Sequence, residues 1–174
     1  MRLKGAVQTE RRSLILHQAA QCRLEMLRER TEASSDSDVV RDALRYYEEL
    51  VEDDAGGKKL LFRDASGHDF DIPLTSTAEE TGKNEGPLVK RNLILHSRSA
   101  ARLDALRQST NAPSDSKLVR EALRVYDLLV EKALAGKRLV VRDAKGNEEA
   151  FRIPGLRERR PFQFFDRLRG QLAR

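Results

Sequence analysis

The chain of 174 residues is 39% apolar, 35% charged and 5% aromatic, with no Trp and 1 Cys, a size that allows one modest domain or two small ones. Cys22 alone can form neither an internal disulfide framework nor a cysteine-based zinc cluster. No apolar run nears the ~18 to 20 residues that span a bilayer and no leader segment is recognised, so a soluble, cytoplasmic protein is expected, and the net charge of +5 favours a polyanionic partner.

A repeat organises the chain. Arg12-Ser-Leu-Ile-Leu-His17 recurs as Arg91-Asn-Leu-Ile-Leu-His96, and at this offset of 79 the stretch Arg12 to Gly67 matches Arg91 to Gly146 at about 30 of 56 positions. The resulting divisions are a basic arm (1–10), a first copy (11–74), an acidic linker (75–89), a second copy (90–154) and a basic tail (155–174).

Within the first copy, Arg11 to His17 places Leu14 and Leu16 two apart, the spacing of a strand with one buried face. Gln18 to Thr31 sets Leu24 and Leu27 among Arg and Glu as an amphipathic helix, which Glu32 to Ser34 breaks. Ser35 fits a helix N-cap with Asp38 in the capping-box place. Val40, Ala43, Leu44, Tyr47, Leu50 and Val51 follow at helical spacing, and Gly57 marks the stop. Lys58 to Ile72 reads as a β-hairpin turning at Ala65-Ser-Gly67.

Thr75 to Pro87 is rich in Thr, Ser, Glu, Gly and Lys and lacks apolar periodicity, so it reads as a flexible linker with an r.m.s. span of about 20 Å. The second copy repeats the pattern with Leu93 and Leu95, then Leu103 and Leu106, then Val119, Ala122, Leu123, Tyr126, Leu129 and Val130. Gly136 stops its second helix, and Lys137 to Ile153 reads as a hairpin turning at Ala144-Lys-Gly146. In the tail, Phe165, Leu168 and Leu172 share one helical face, suited to docking on the body, binding a partner protein or pairing with another chain.

One strand and two helices, roughly 45 residues, cannot bury enough apolar surface to be stable alone. If the two strands pair antiparallel, Leu14, Leu16, Leu93 and Leu95 turn onto the helices and one core is shared, while alternate strand residues point away from it. The expected fold is therefore mainly α with short β, each repeat followed by its own hairpin.

The order strand, helix, Ser-Asp-Ser turn and helix with Ala-Leu-Arg resembles the ribbon-helix-helix DNA-binding family of the Arc, MetJ and CopG type, duplicated in one chain. The resemblance covers Arg11 to about Val51 and Lys90 to about Val130. It implies an intramolecular pseudo-dimer whose antiparallel two-stranded ribbon enters the major groove of DNA, a groove wide enough to admit it. By position it implies base contacts from Arg11, Ser13 and Ile15 on the first strand and Lys90, Asn92 and Ile94 on the second. Arg or Lys pairs with guanine O6 and N7, Asn can bind adenine bidentately, and Ile offers apolar contact such as with a thymine methyl. Phosphate contacts are implied for Ser35, Ser37, Ser114, Ser116 and Lys117 at the second helix of each copy. Arg2 and Lys4 of the arm and Arg12 and Arg91 of the strands are further candidates for phosphate contact.

Charge divides unevenly. The arm through Arg12 carries +3, residues 13–74 carry −6, the linker −2, residues 90–154 carry +6, and the tail +4. Arg98, Arg102, Arg107, Lys117 and Arg120 make the second copy the expected docking side, with Lys117 standing where the first copy has Asp38. The competing explanation is that opposite charges help the halves pair.

His17 and His96 read as polar residues at strand-to-helix junctions rather than metal ligands, and Cys22, aligned with Ala101, as a small core or boundary residue. Asp64 and Asp143 fit local turn hydrogen bonds. No Gly-rich phosphate loop and no nucleophile beside a base is recognised, so neither enzymatic activity nor a cofactor is expected. The expected function is sequence-specific binding of double-stranded DNA, as a transcriptional repressor or plasmid-type accessory associated with the nucleoid, with homo-oligomerisation on DNA a further option. The alternative is a protein-interaction module that has lost DNA binding and engages a partner through its tail.

Overall fold

In the structure, a computed structural model, residues 8–72, 86–151 and 153 are described. The elements in chain order are β1 (Thr9–His17), α1 (Gln18–Arg30), α2 (Asp36–Ala55), β2 (Lys59–Arg63), β3 (Asp69–Asp71), β4 (Leu88–His96), α3 (Ser97–Ser109), α4 (Asp115–Leu134), β5 (Arg138–Arg142) and β6 (Glu148–Phe151).

Strands β1 and β4 form an antiparallel ribbon in which Leu14, Leu16, Leu93 and Leu95 are buried and the residues between them exposed. The period of two in the leucines produces this, since successive strand side chains leave opposite faces. Helices α1 and α3 then bury Ala20, Leu24 and Leu27, and Ala100, Leu103 and Leu106. Each ends before a residue with left-handed backbone, Glu32 at φ 54° and Asn111 at φ 52°. The following helices start at Ser35 and Ser114, whose side chains accept hydrogen bonds from the backbone N–H groups of Asp38 and Lys117. Helices α2 and α4 pack on each other through the core, with Tyr46 stacked on Tyr126 at 5.4 Å between ring centroids and Phe151 tilted against Tyr46.

The expected mainly α ribbon-helix-helix pseudo-dimer with two separate hairpins is corrected by the second sheet. Strands β2 and β5 pair antiparallel, giving a four-stranded sheet of order β3-β2-β5-β6. With four helices and six strands in two antiparallel sheets among the described residues, the chain is a mixed α/β fold. The cause lies in two apolar triplets, Leu60-Leu61-Phe62 and Leu139-Val140-Val141, all buried. A strand apolar on both faces cannot be served by a lone two-stranded hairpin, which is marginal in water; joining the hairpins pairs both inner strands, with the helices over one face and charged side chains over the other.

Leu60, Phe62, Leu139 and Val141 face the helices as part of the main core, together with Phe151 and Ile153. Leu61 and Val140 lie on the other face, opposite one another. Above them Arg63 bonds Asp69 at 2.6 Å on its neighbouring strand and Glu148 at 2.8 Å beyond β5. Arg142 mirrors this, pairing with Glu148 and reaching Asp69 beyond β2. The two guanidiniums hold the Asp69 carboxyl well below its usual range and Glu148 down to about 2, with the Arg63 hydrogen bond first in each case. Cys22 is exposed rather than in the core or at its boundary: it stands two residues from Ala20 and two from Leu24, on the other side of α1 from the buried stripe. No helix among the described residues is long and apolar enough to cross a membrane.

Candidate nucleic-acid interface

The ribbon register is centred on Ser13 opposite Asn92, with Arg11 opposite Ile94 and Ile15 opposite Lys90. All six side chains are exposed. Arg11 and Lys90 thus occupy two diagonal corners of the outward face, Ile15 and Ile94 the other two, and the polar pair lies between them. Ser13 Oγ donates to Asn92 Oδ1 at 2.7 Å. Among the described residues neither Arg11 nor Lys90 forms an ion pair. The same alternation extends the face to Thr9 opposite His96 and to Leu88 opposite His17; Leu88 is 62% exposed.

Arg12 and Arg91 sit one position over, on the helix-facing side. Arg12 donates to Asp104 at 2.9 Å, to Glu10 at 3.1 Å and to Asp115 at 3.5 Å. The Asp104 hydrogen bond raises its pKa further. Through Nη1 and Nη2 it ties β1 to α3 and α4, and these donors are directed at carboxylates rather than outward. Arg91 holds Gln21 at 3.3 Å and Glu25 at 3.5 Å on α1. Asp104 and Glu25 were not singled out from the sequence, although the leucine parity that turns Arg12 and Arg91 inward calls for acidic partners there.

The starts of α2 and α4 flank the ribbon crosswise. Ser116 Oγ accepts from the Ile15 N–H at 2.9 Å, and Ser37 Oγ accepts from the Ile94 N–H at 3.3 Å. Each copy's second helix therefore supports the other copy's strand. A serine hydroxyl that accepts still has its own proton to donate, so both remain able to approach a phosphate. Asp36 and Asp115 in the first turns favour the helix dipole and are met by arginine, Arg28 at 3.1 Å and Arg107 at 3.0 Å respectively.

The two flanks differ at the third helical position. On the first, Ser34 and Ser35 both donate to Asp38 Oδ2, the latter at 2.8 Å, and Arg41 reaches Oδ1 at 2.6 Å. These bonds, Ser34 foremost, hold the Asp38 carboxyl below its usual range. On the second, Lys117 replaces it and reaches Glu121 at 3.3 Å while remaining half exposed. Ser114 Oγ accepts from the Lys117 N–H.

Other basic residues of the second copy are engaged within the fold: Arg102 with Glu48 of the first copy, and the Arg120 side chain with the Ser116 carbonyl one turn away at 3.3 Å. Arg98 is exposed. Ion pairs between the copies run both ways, from Arg12, Arg23 and Arg30 to acids of the second copy and from Arg91 and Arg102 to acids of the first. Pairing alone therefore does not account for their opposite net charges. His17 and His96 lie at opposite ends of the ribbon, and among the described residues no group of three His, Cys, Asp or Glu side chains could hold a metal ion. Arg2, Lys4, most of the linker and the whole tail lie outside the described residues.

No protein-family model, curated protein or solved structure matches the chain.

Proposed function

We propose that the chain binds double-stranded DNA by laying the β1–β4 ribbon in the major groove, and that it serves as a transcriptional repressor or a plasmid-type DNA-processing accessory. The observation that carries this reading is the ribbon's outward face: Arg11, Ser13, Ile15, Lys90, Asn92 and Ile94 are all exposed above a floor of buried leucines. A two-stranded ribbon fits a groove about 12 Å wide, where corner cations can meet guanine acceptors and the isoleucines can meet thymine methyls. Beside it, the hydroxyls of Ser37 and Ser116 and the Lys117 ammonium are available to phosphates. Because Ser13 stands where the other strand has Asn92, the face is not self-complementary, and a non-palindromic target suits it better than a palindrome.

The test is retention of short random duplexes by the full chain across a salt series. Several phosphate contacts predict a loss of affinity of about tenfold or more between 50 and 200 mM salt. Absence of duplex binding at about 50 mM salt would favour a second reading, a protein-binding surface. That reading is supported by Ile15, Ile94 and Leu88, which expose 52%, 57% and 62% of their surface on this face.

A further inference from the structure

The centre of the ribbon contains a hydrogen bond with a direction. Ser13 Oγ donates to Asn92 Oδ1 at 2.7 Å across the two strands, at the position where the register pairs the two residues. Both side chains are exposed, so the bond is not required to satisfy a buried group; its consequence is to orient the amide. With Oδ1 turned to β1, the two N–H donors of Nδ2 are what Asn92 presents beyond the ribbon. An unrestrained asparagine offers one donor and one acceptor and pairs with adenine N7 and N6, whereas guanine offers two acceptors, N7 and O6. Arg11 and Lys90, at the corners, also have donors only. The serine oxygen retains acceptor capacity, which suits the amino group of a cytosine paired with that guanine.

We infer that Ser13 is a positioning residue for specificity: by holding the Asn92 oxygen it turns a side chain suited to adenine into a reader of guanine. The ribbon then selects guanine at its centre and beneath Arg11 and Lys90, with thymine methyls beneath Ile15 and Ile94. This rests on the proposed duplex binding and specifies what the same surface reads. The opposite amide orientation, with Nδ2 donating to Ser13, would leave the oxygen facing the groove and adenine as the preferred base, so the polarity of one hydrogen bond sets the outcome.

The experiment is selection of bound sequences from a random duplex pool at low salt, with the full chain and with Ser13→Ala and Asn92→Ala. Circular dichroism confirms that each variant keeps its fold, as replacement of exposed residues should allow. The parent is expected to prefer guanine over adenine at one central position by roughly tenfold. Ser13→Ala, which frees the oxygen, shifts that position toward adenine without changing the others, and Asn92→Ala removes the preference there. Adenine at this position in the parent, or the same central base in the parent and Ser13→Ala, overturns the inference while leaving duplex binding intact. Recovery of no duplex at all overturns both.

Discussion

The two helix starts that flank the ribbon share one cap and differ in what they leave outward. Ser35 and Ser114 cap α2 and α4 in the same way, yet at the third helical position one copy has Asp38 and the other Lys117. On the first flank Ser34, Ser35 and Arg41 all turn their donors onto the Asp38 carboxylate. On the second, the Lys117 ammonium adds a cation beside the ribbon, paired among the described residues with Glu121 one turn on. A single acidic residue thus gathers the local donors inward and leaves a fixed negative charge, and its basic counterpart leaves the same helix end attractive to an anion. The −6 of residues 13–74 and the +6 of residues 90–154 are thus represented at the ribbon by a fixed negative charge on one flank and an added cation on the other.

Exchanging the two residues is the strongest way to break this comparison. Lys117→Asp should lower duplex affinity about tenfold at low salt and flatten the salt dependence by about one counterion, while Asp38→Lys should raise affinity several-fold. Equal effects from Lys117→Ala and Asp38→Ala would show that the flanks contribute alike. The arginines beneath the ribbon come next. Among the described residues Arg12 makes three carboxylate contacts, two of them on the other copy, and Arg91 one, at 3.5 Å. Arg12→Ala should cost about 1 kcal/mol in urea unfolding and Arg91→Ala about half of that. Near-identical midpoints would remove this asymmetry.

A smaller difference lies at the breaks between helices. Glu32 and Asn111 both hold positive φ, a region asparagine tolerates better than glutamate. Glu32→Asn should therefore raise the stability of the first copy by about 0.5 kcal/mol, read as a higher urea midpoint, whereas Asn111→Glu should lower it. At the sheet end the copies are alike, each giving one arginine and one acid to the Arg63, Asp69, Arg142 and Glu148 group. Both carboxyls are held below their ordinary values, so their contribution is present above about pH 4.5 and fades as Glu148 protonates near its value of about 2. An acid titration followed by circular dichroism should show destabilisation across that window, diminished when Asp69→Asn and Glu148→Gln are combined. A parent with flat stability from pH 5 to about 2 would contradict it.

Much of the ribbon was legible because a strand's period of two needs only local sequence. Leu14, Leu16, Leu93 and Leu95 assign Arg11, Ser13, Ile15, Lys90, Asn92 and Ile94 to the outer face, and the same parity turns Arg12 and Arg91 inward, which was not drawn from it. The joined sheet was less accessible. Lys58 to Ile72 and Lys137 to Ile153 each contain the turn signal of a hairpin, but the β2–β5 pairing joins residues of different copies, and no local signal specifies it. The apolar triplets Leu60-Leu61-Phe62 and Leu139-Val140-Val141 were the clue, since three consecutive buried residues require cover on both faces. Cys22 shows the reverse: alignment with Ala101 suggested a small core or boundary position, whereas helical spacing from Ala20, Leu24 and Leu27 places Cys22 on the outer side of its helix, and Ala101 is likewise exposed.

Dimethyl sulfate probing of a selected duplex tests the central claim most directly, because it modifies guanine N7 in the major groove and adenine N3 in the minor groove. The proposed docking predicts protection of guanine N7 beneath the ribbon with adenine N3 unchanged, and loss of that protection in an Arg11→Ala, Lys90→Ala double variant. Protection confined to adenine N3, or a double variant that binds and protects as the parent does, would contradict it.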